Sequence, residues 1–131
     1  MITNLEIERY IHELLPARDP VLEEMEALAA KEKIPIIGPA VARVLGQLVM
    51  ISGARRIFEL GSAIGYSTIW LARAAGPQAE VHYSDGSSAN AERARRFIER
   101  AGVLTAWRSM WATRSRCWQT RRESSISFST M

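Results

Sequence analysis

Arg56-Ile57-Phe58-Glu59-Leu60-Gly61-Ser62-Ala63-Ile64-Gly65-Tyr66-Ser67-Thr68 decides the fold. Ile57 to Leu60 is a short apolar run that reads as a buried strand. Gly61 and Gly65 punctuate the turn after it. From Tyr66 to Ala75 the chain takes up helical periodicity, with Ile69, Trp70 and Leu71 as apolar bulk. Strand, glycine turn and helix together let a backbone approach a nucleotide-like ligand, because glycine has no Cβ and a helix start offers free N–H groups. Dinucleotide sites space their glycines as G-x-G-x-x-G. Here the spacing is E-x-G-x-x-x-G, with Glu59 two positions before Gly61.

Downstream, Gly76-Pro77 stops that helix and Glu80 to Ser84 reads as a second strand closing on Asp85-Gly86. Ser88 caps a further helix through Ala101, with Ala91, Ala94, Phe97 and Ile98 at buried spacing and Gly102 as its stop. Upstream, Leu5, Tyr10, Ile11, Leu14 and Leu15 predict an amphipathic helix over about Ile2 to Leu15. Asp19 and Pro20 open a second helix, with Leu22, Met25, Leu28 and Ala29 inward. Ile34 to Pro39 is an extended connector. Pro39 opens a third helix, with Val41, Val44, Leu45, Leu48 and Val49 expected inward and Gly53 ending it. From Arg56 on the order is β-α-β-α, the pattern of a parallel α/β sheet with right-handed crossovers.

At 131 residues the chain holds at most one ordinary domain. No run approaches the roughly 18 apolar residues of a membrane span. No secretory signal is visible at the N-terminus. The single cysteine, Cys117, excludes an internal disulfide, so the cytoplasm is the expected compartment. The net charge of +3 sits in one place: residues 104–131 carry five Arg and one acid, whereas residues 1–103 carry 12 Lys/Arg and 13 Asp/Glu. Three of the four tryptophans lie in the same tail, and beyond Val103 no sustained period of two or of 3.6 is found. The chain therefore divides into N-terminal helices (1–55), a partial nucleotide-binding core (56–103) and a basic tail (104–131).

The chemistry centres on the turn. Backbone N–H groups of Gly61 to Gly65 are expected to face a ligand, the helix start favours a carboxylate, and Ser67 adds a hydroxyl. Asp85, at the end of the second strand, is placed to accept ribose hydroxyls. Tyr66 reads equally well as a packing residue. His82 has no metal or triad partner nearby and reads as structural; Trp70 reads as core or interface.

From about Tyr10 to Val103 the sequence resembles the catechol and caffeoyl-CoA type of class I O-methyltransferase, which uses S-adenosylmethionine (SAM). Phe58 to Thr68 looks like that family's motif I. Tyr83-Ser84-Asp85-Gly86 matches its ribose-binding strand end, Ile36-Ile37-Gly38-Pro39 its approach to the donor pocket, and Tyr10 to Pro16 with Pro20 to Leu22 its first helices. The resemblance implies a Rossmann-like SAM methyltransferase fold, here the N-terminal half of a parallel sheet preceded by helices. It implies that Glu59, Gly61, Ala63, Gly65, Tyr66, Ser67 and Asp85 surround SAM, with Ile37 near the methionine end. It further implies methyl transfer to a hydroxyl of a small, aromatic acceptor, assisted by a divalent cation such as magnesium and a lysine base, often in a homodimer. The family's metal ligands and catalytic residues belong to later strands whose pattern is not found in this sequence. No catalytic or metal residue is therefore assigned, and this chain is expected to be inactive by itself.

The tail has its own reading. Trp and Met each have one codon, which partly fixes the nucleotides beneath residues 104–131. Written with GC-rich codons and read in the other frame, they can encode a strand, a turn, a helix and a second strand, as the family has after Ala101-Gly102-Val103. The tail is thus expected to be a frameshift product and the chain truncated, marginally stable and at best a weak binder of SAM. The alternatives are a non-catalytic SAM-binding remnant or a subunit completed by a partner chain. The weakest is a nucleic-acid module using the Trp/Arg tail, since nothing in the tail scaffolds it. NAD is disfavoured by Glu59 and the glycine spacing.

Overall fold

Several helices begin on a side chain that accepts from a free backbone N–H. In the computed structural model, which describes residues 4–111, α1 (Leu5–Leu14) starts where the Asn4 side chain accepts from the Glu6 N–H. Asp19 caps α2 (Pro20–Glu32) through the Leu22 N–H at 2.9 Å, and Pro20 occupies the first turn, where a missing donor does no harm. α3 (Gly38–Ser52) ends on Gly53 in the left-handed region. The core elements come next as β1 (Arg56–Phe58), α4 (Tyr66–Ala75), β2 (Glu80–Asp85), α5 (Ser88–Arg100) and β3 (Trp107–Trp111). Ser87, not Ser88, caps α5, accepting from the Asn90 N–H.

The three strands form one parallel sheet in the order β1-β2-β3. The register sets Ile57, Val81 and Trp107 side by side on one face and Phe58, His82 and Arg108 on the other. Val81 and Tyr83 turn to the covered face, where α4 and α5 pack on β2. The core there joins Leu22, Met25 and Ala29 of α2 to Ile69 of α4 and Phe97 and Ile98 of α5. Tyr83 meets Trp107 edge-on, ring centroids 6.2 Å apart. The other face is half open among the described residues, with Phe58 48% exposed, Arg56, Glu80 and Arg108 in a loose ionic group, and the His82 ring 3.6 Å from Glu80.

Three expectations need correcting. The tail beyond Val103 shows no strand pattern, yet Trp107–Trp111 forms β3, because pairing with the β2 backbone needs no alternation of side chains. The first strand stops at Phe58, so Glu59 and Leu60 already belong to the turn. The inward face of α3 is Pro39, Ala42, Gly46 and Val49; Val41, Val44 and Leu48 are exposed. Small residues win that face since they let α3 approach α4 closely: a Cβ at Gly46 would sit 3.6 Å from that of Ala74. Leu5, Tyr10, Ile11 and Leu14 of α1 are likewise exposed among the described residues. No helix of the described residues is long and apolar enough to cross a membrane.

Candidate functional site

The turn between β1 and α4 is drawn onto the end of β2. The N–H groups of Gly61 and Ser62 both donate to the Ser84 carbonyl, at 3.0 and 2.9 Å. Ala63 is held at φ 44°, unusual for a residue with a Cβ, by two further bonds. Its N–H donates to Asp85 Oδ2 at 2.9 Å and its carbonyl accepts from the Tyr83 hydroxyl at 2.7 Å. Such strained backbone persists only where its surroundings over-determine it. Gly65, at φ 85°, packs under α5, where a Cβ would lie 3.1 Å from that of Ala94. The turn's N–H groups were expected to face a ligand. Those of Gly61, Ser62, Ala63 and Gly65 are instead bonded within the fold. The donors left for a ligand are those of the first turn of α4, which helix geometry leaves without internal partners.

Beside that helix start lies a cleft of ≈ 300 Å³, lined from the α2–α3 connector, α3, the turn and α4. That volume is at the lower end of small-molecule sites. Ile37, Glu59, Gly61, Ala63, Tyr66 and Ser67 all line it. Gly65 and Asp85 do not: Gly65 faces α5, and Asp85 reaches the cleft only through its bond to Ala63. The Asp85 carboxylate also accepts from the Ser87 N–H and the Asn90 amide, at 2.8 and 3.2 Å. Three of its roughly four acceptor positions are therefore engaged.

Glu59 supplies the charge of the cleft. One oxygen accepts from the Ser67 hydroxyl and the other from Thr68 Oγ1 at 2.5 Å. The Ser84 hydroxyl bonds the Glu59 carbonyl at 2.7 Å, fixing the residue at the strand end. An anionic carboxylate thus stands next to the positive end of α4, an arrangement that offers both signs of charge within one small cleft. Gly61 contributes open space: nothing lies within 4 Å of where its Cβ would be. The Tyr66 ring is 1% exposed, and its hydroxyl donates to Glu26 Oε1 at 2.6 Å. Burial, then that bond, hold the Tyr66 phenol above its usual pKa; burial and the charges of Asp85 and Glu59 do the same to Tyr83. Both stay protonated hydroxyls.

Sequence reasoning did not single out Pro35, Leu45 or Leu60 as lining residues, reading Leu45 as core and Leu60 as strand; Ile36 and Ser62 lie in the connector and turn already read as approaching the ligand. Among the described residues no group of three or more His, Cys, Asp or Glu is placed to hold a metal.

Known proteins supply the context. The profile of a family described as O-methyltransferase matches residues 13–109, ending inside β3. A catechol O-methyltransferase of Mycobacterium tuberculosis is 38% identical over 102 residues, which is 75% of this chain and 46% of that protein. An O-methyltransferase from Bacillus cereus, solved in complex with SAH, superposes with a TM-score of 0.80 at 31% identity, covering 92% of this chain and 56% of the other. One from Streptomyces achromogenes, in complex with SAM, gives 0.80 at 25% identity over 92% of this chain and 55% of the other. The chain thus spans about half the length of the proteins it matches.

Proposed function

The chain belongs to the O-methyltransferase family, and from that premise we propose that its cleft holds the methyl donor SAM. One observation carries the proposal: the Glu59 carboxylate and the Ser67 hydroxyl meet at the start of α4, inside the cleft. An amino acid end carries an ammonium and a carboxylate. Glu59 suits the first, and the free N–H groups of the first turn of α4 suit the second, the Ser67 hydroxyl being spent on Glu59. Gly61, with no atom near its missing Cβ, leaves room for a ligand against the backbone, and Ile36, Ile37 and Leu60 give apolar walls. Asp85 retains an acceptor position for a hydroxyl and holds Ala63 in its strained form. The residues present therefore fit the donor.

When bound, SAM supplies a methyl group on a sulfonium, open to attack by a nucleophilic oxygen. The whole family reaction we propose is transfer of that methyl to a hydroxyl of a small, aromatic acceptor. To this chain we assign the donor-binding share, since among the described residues the cleft is lined by one carboxylate, Glu59, and by no lysine. The test is an amide-resolved NMR titration with SAM. Shifts at Gly61, Ser67 and Thr68, weakened in Glu59→Gln, support the proposal; unchanged spectra contradict it.

One observation favours a second reading, a donor-binding subunit completed by another polypeptide. Among the described residues β1 has β2 as its only strand neighbour, and an all-parallel sheet is normally covered on both faces. Co-purification with a chain supplying further strands distinguishes it. The Trp/Arg tail proposed as a nucleic-acid contact lies mostly outside the described residues.

A further inference from the structure

Glu26 and Arg18 do not line the cleft, yet they are tied in series to a residue of its wall, Tyr66. Glu26 sits on α2, 40 residues before Tyr66, and its Oε1 accepts the Tyr66 hydroxyl at 2.6 Å. Arg18, in the loop before α2, brings its Nε to Glu26 at 2.9 and 3.0 Å. Both charged side chains are about four-fifths buried, with 22% and 19% of their surface exposed. The next residue of the loop, Asp19, pairs with Arg73. Burial pushes the Asp19 carboxyl up, but bonds from the Leu22 N–H and Arg73 outweigh it and leave the carboxyl below its usual pKa.

Tyr66 and Arg73 are seven residues apart on α4, about two turns, and so share one face. A helix held at two points on one face can neither slide along its axis nor roll about it. Thr68, two positions on from Tyr66 and about 200° around the helix, bonds Glu59 at the end of β1. The roll of α4 is thus set between α2 on one side and the strand end on the other.

We propose that the loop–α2 grip, Arg18–Glu26–Tyr66 with Asp19–Arg73, is a positioning device that holds the first turn of α4 and Ser67 in register with Glu59 for SAM binding. The proposal rests on the donor-binding reading of the cleft. Tyr66 lines the cleft; Glu26 and Arg18 act only through it. The loop and helix before the connector thereby control the geometry of a site centred on the turn after β1.

The test compares the full chain with Tyr66→Phe, Glu26→Leu and Glu26→Gln. SAM affinity is followed by NMR titration, and backbone exchange at Ile69 and Trp70, just past the first turn, by hydrogen exchange. Tyr66→Phe leaves the Arg18–Glu26 pair intact, and Glu26→Gln keeps an acceptor for the tyrosine. Loss of the hydroxyl bond is expected to weaken SAM binding about tenfold in Tyr66→Phe and Glu26→Leu, with affinity restored in Glu26→Gln. Exchange at Ile69 should quicken several-fold in the first two while that of Tyr83 in β2 stays as it was. Equal loosening of Ile69 and Tyr83, or Tyr66→Phe binding SAM as tightly as the parent, would overturn the proposal. The exchange readout needs no SAM. A parent that binds none therefore ends the donor reading separately, and Ile69 still decides the grip.

Discussion

The two flanks of the central strand pair are finished to different degrees. On the β2 side, α2, α4 and α5 close a core in which Met25, Ile69 and Ile98 are wholly buried, and the loop carbonyls and carboxylates have partners. Toward β1 and α3, large apolar side chains face outward among the described residues: Ile51 is 83% exposed, Leu60 77% and Leu48 55%. The spacing of Val41, Val44, Leu48 and Ile51 is that of a contact stripe, with no described residue to cover it. The lesson is that the cleft straddles the two flanks: Tyr66 comes from the finished one, Leu45 and Leu60 from the open one. The hydrogen bonds that fix Glu59, Ala63 and Tyr66 all close among the described residues, where the sheet has three strands.

Substitutions sharpen that contrast, the largest effect first. Ile69→Ala, in the finished core, should cost about 2–5 kcal/mol, enough to abolish a cooperative melt followed by circular dichroism; a transition shifted by only a few degrees would show the core to be loose. Gly65→Ala places a Cβ against Ala94 at positive φ and should cost about 2–3 kcal/mol in denaturant titration. Asp19→Ala removes a helix cap and the Arg73 pair, about 1 kcal/mol at neutral pH. The sign of its pH dependence comes from the lowered pKa. The Asp19 contribution is present above the unfolded value of 3.8 and is lost as pH falls through the lower folded value. The parent should therefore lose stability below about pH 4 more steeply than the variant; parallel curves would contradict the assignment. The smallest effect belongs to the open flank. Leu48→Glu should move stability by less than about 0.5 kcal/mol while reducing self-association in light scattering. A loss as large as that of Ile69→Ala would mean the stripe is covered after all.

How legible this was in the sequence varied with the range of the interaction. The strand, glycine turn and helix from Arg56 to Ala75 could be read directly, because caps, glycines and periodicity act over a few residues. Asp19 and Pro20 announced α2 in the same way. The inward face of α3 could not be read: Val41, Val44 and Leu48 are more apolar than Ala42 and Gly46, and only closeness to α4 decides between them. β3 was hidden because its place is set by the β2 backbone rather than by its own side chains. Of the site, the lining residues near the turn were legible. The Tyr66–Glu26 bond joins residues 40 apart and leaves no local trace.

The reading of residues 104–131 as a shifted frame concerns mostly residues outside those described. Sequencing the gene across the codons for Gly102 to Thr105 decides it. A shift is expected there; an intact frame, with relatives sharing the Trp/Arg tail, would contradict it.

The central claim is that a SAM cradle is complete within these helices and three strands. Isothermal titration of the purified chain with SAM, and in parallel with NAD, tests it most directly. The account predicts saturable SAM binding, weaker than micromolar, and none with NAD over the same range. No SAM heat from a folded chain, or tighter binding of NAD, would contradict it.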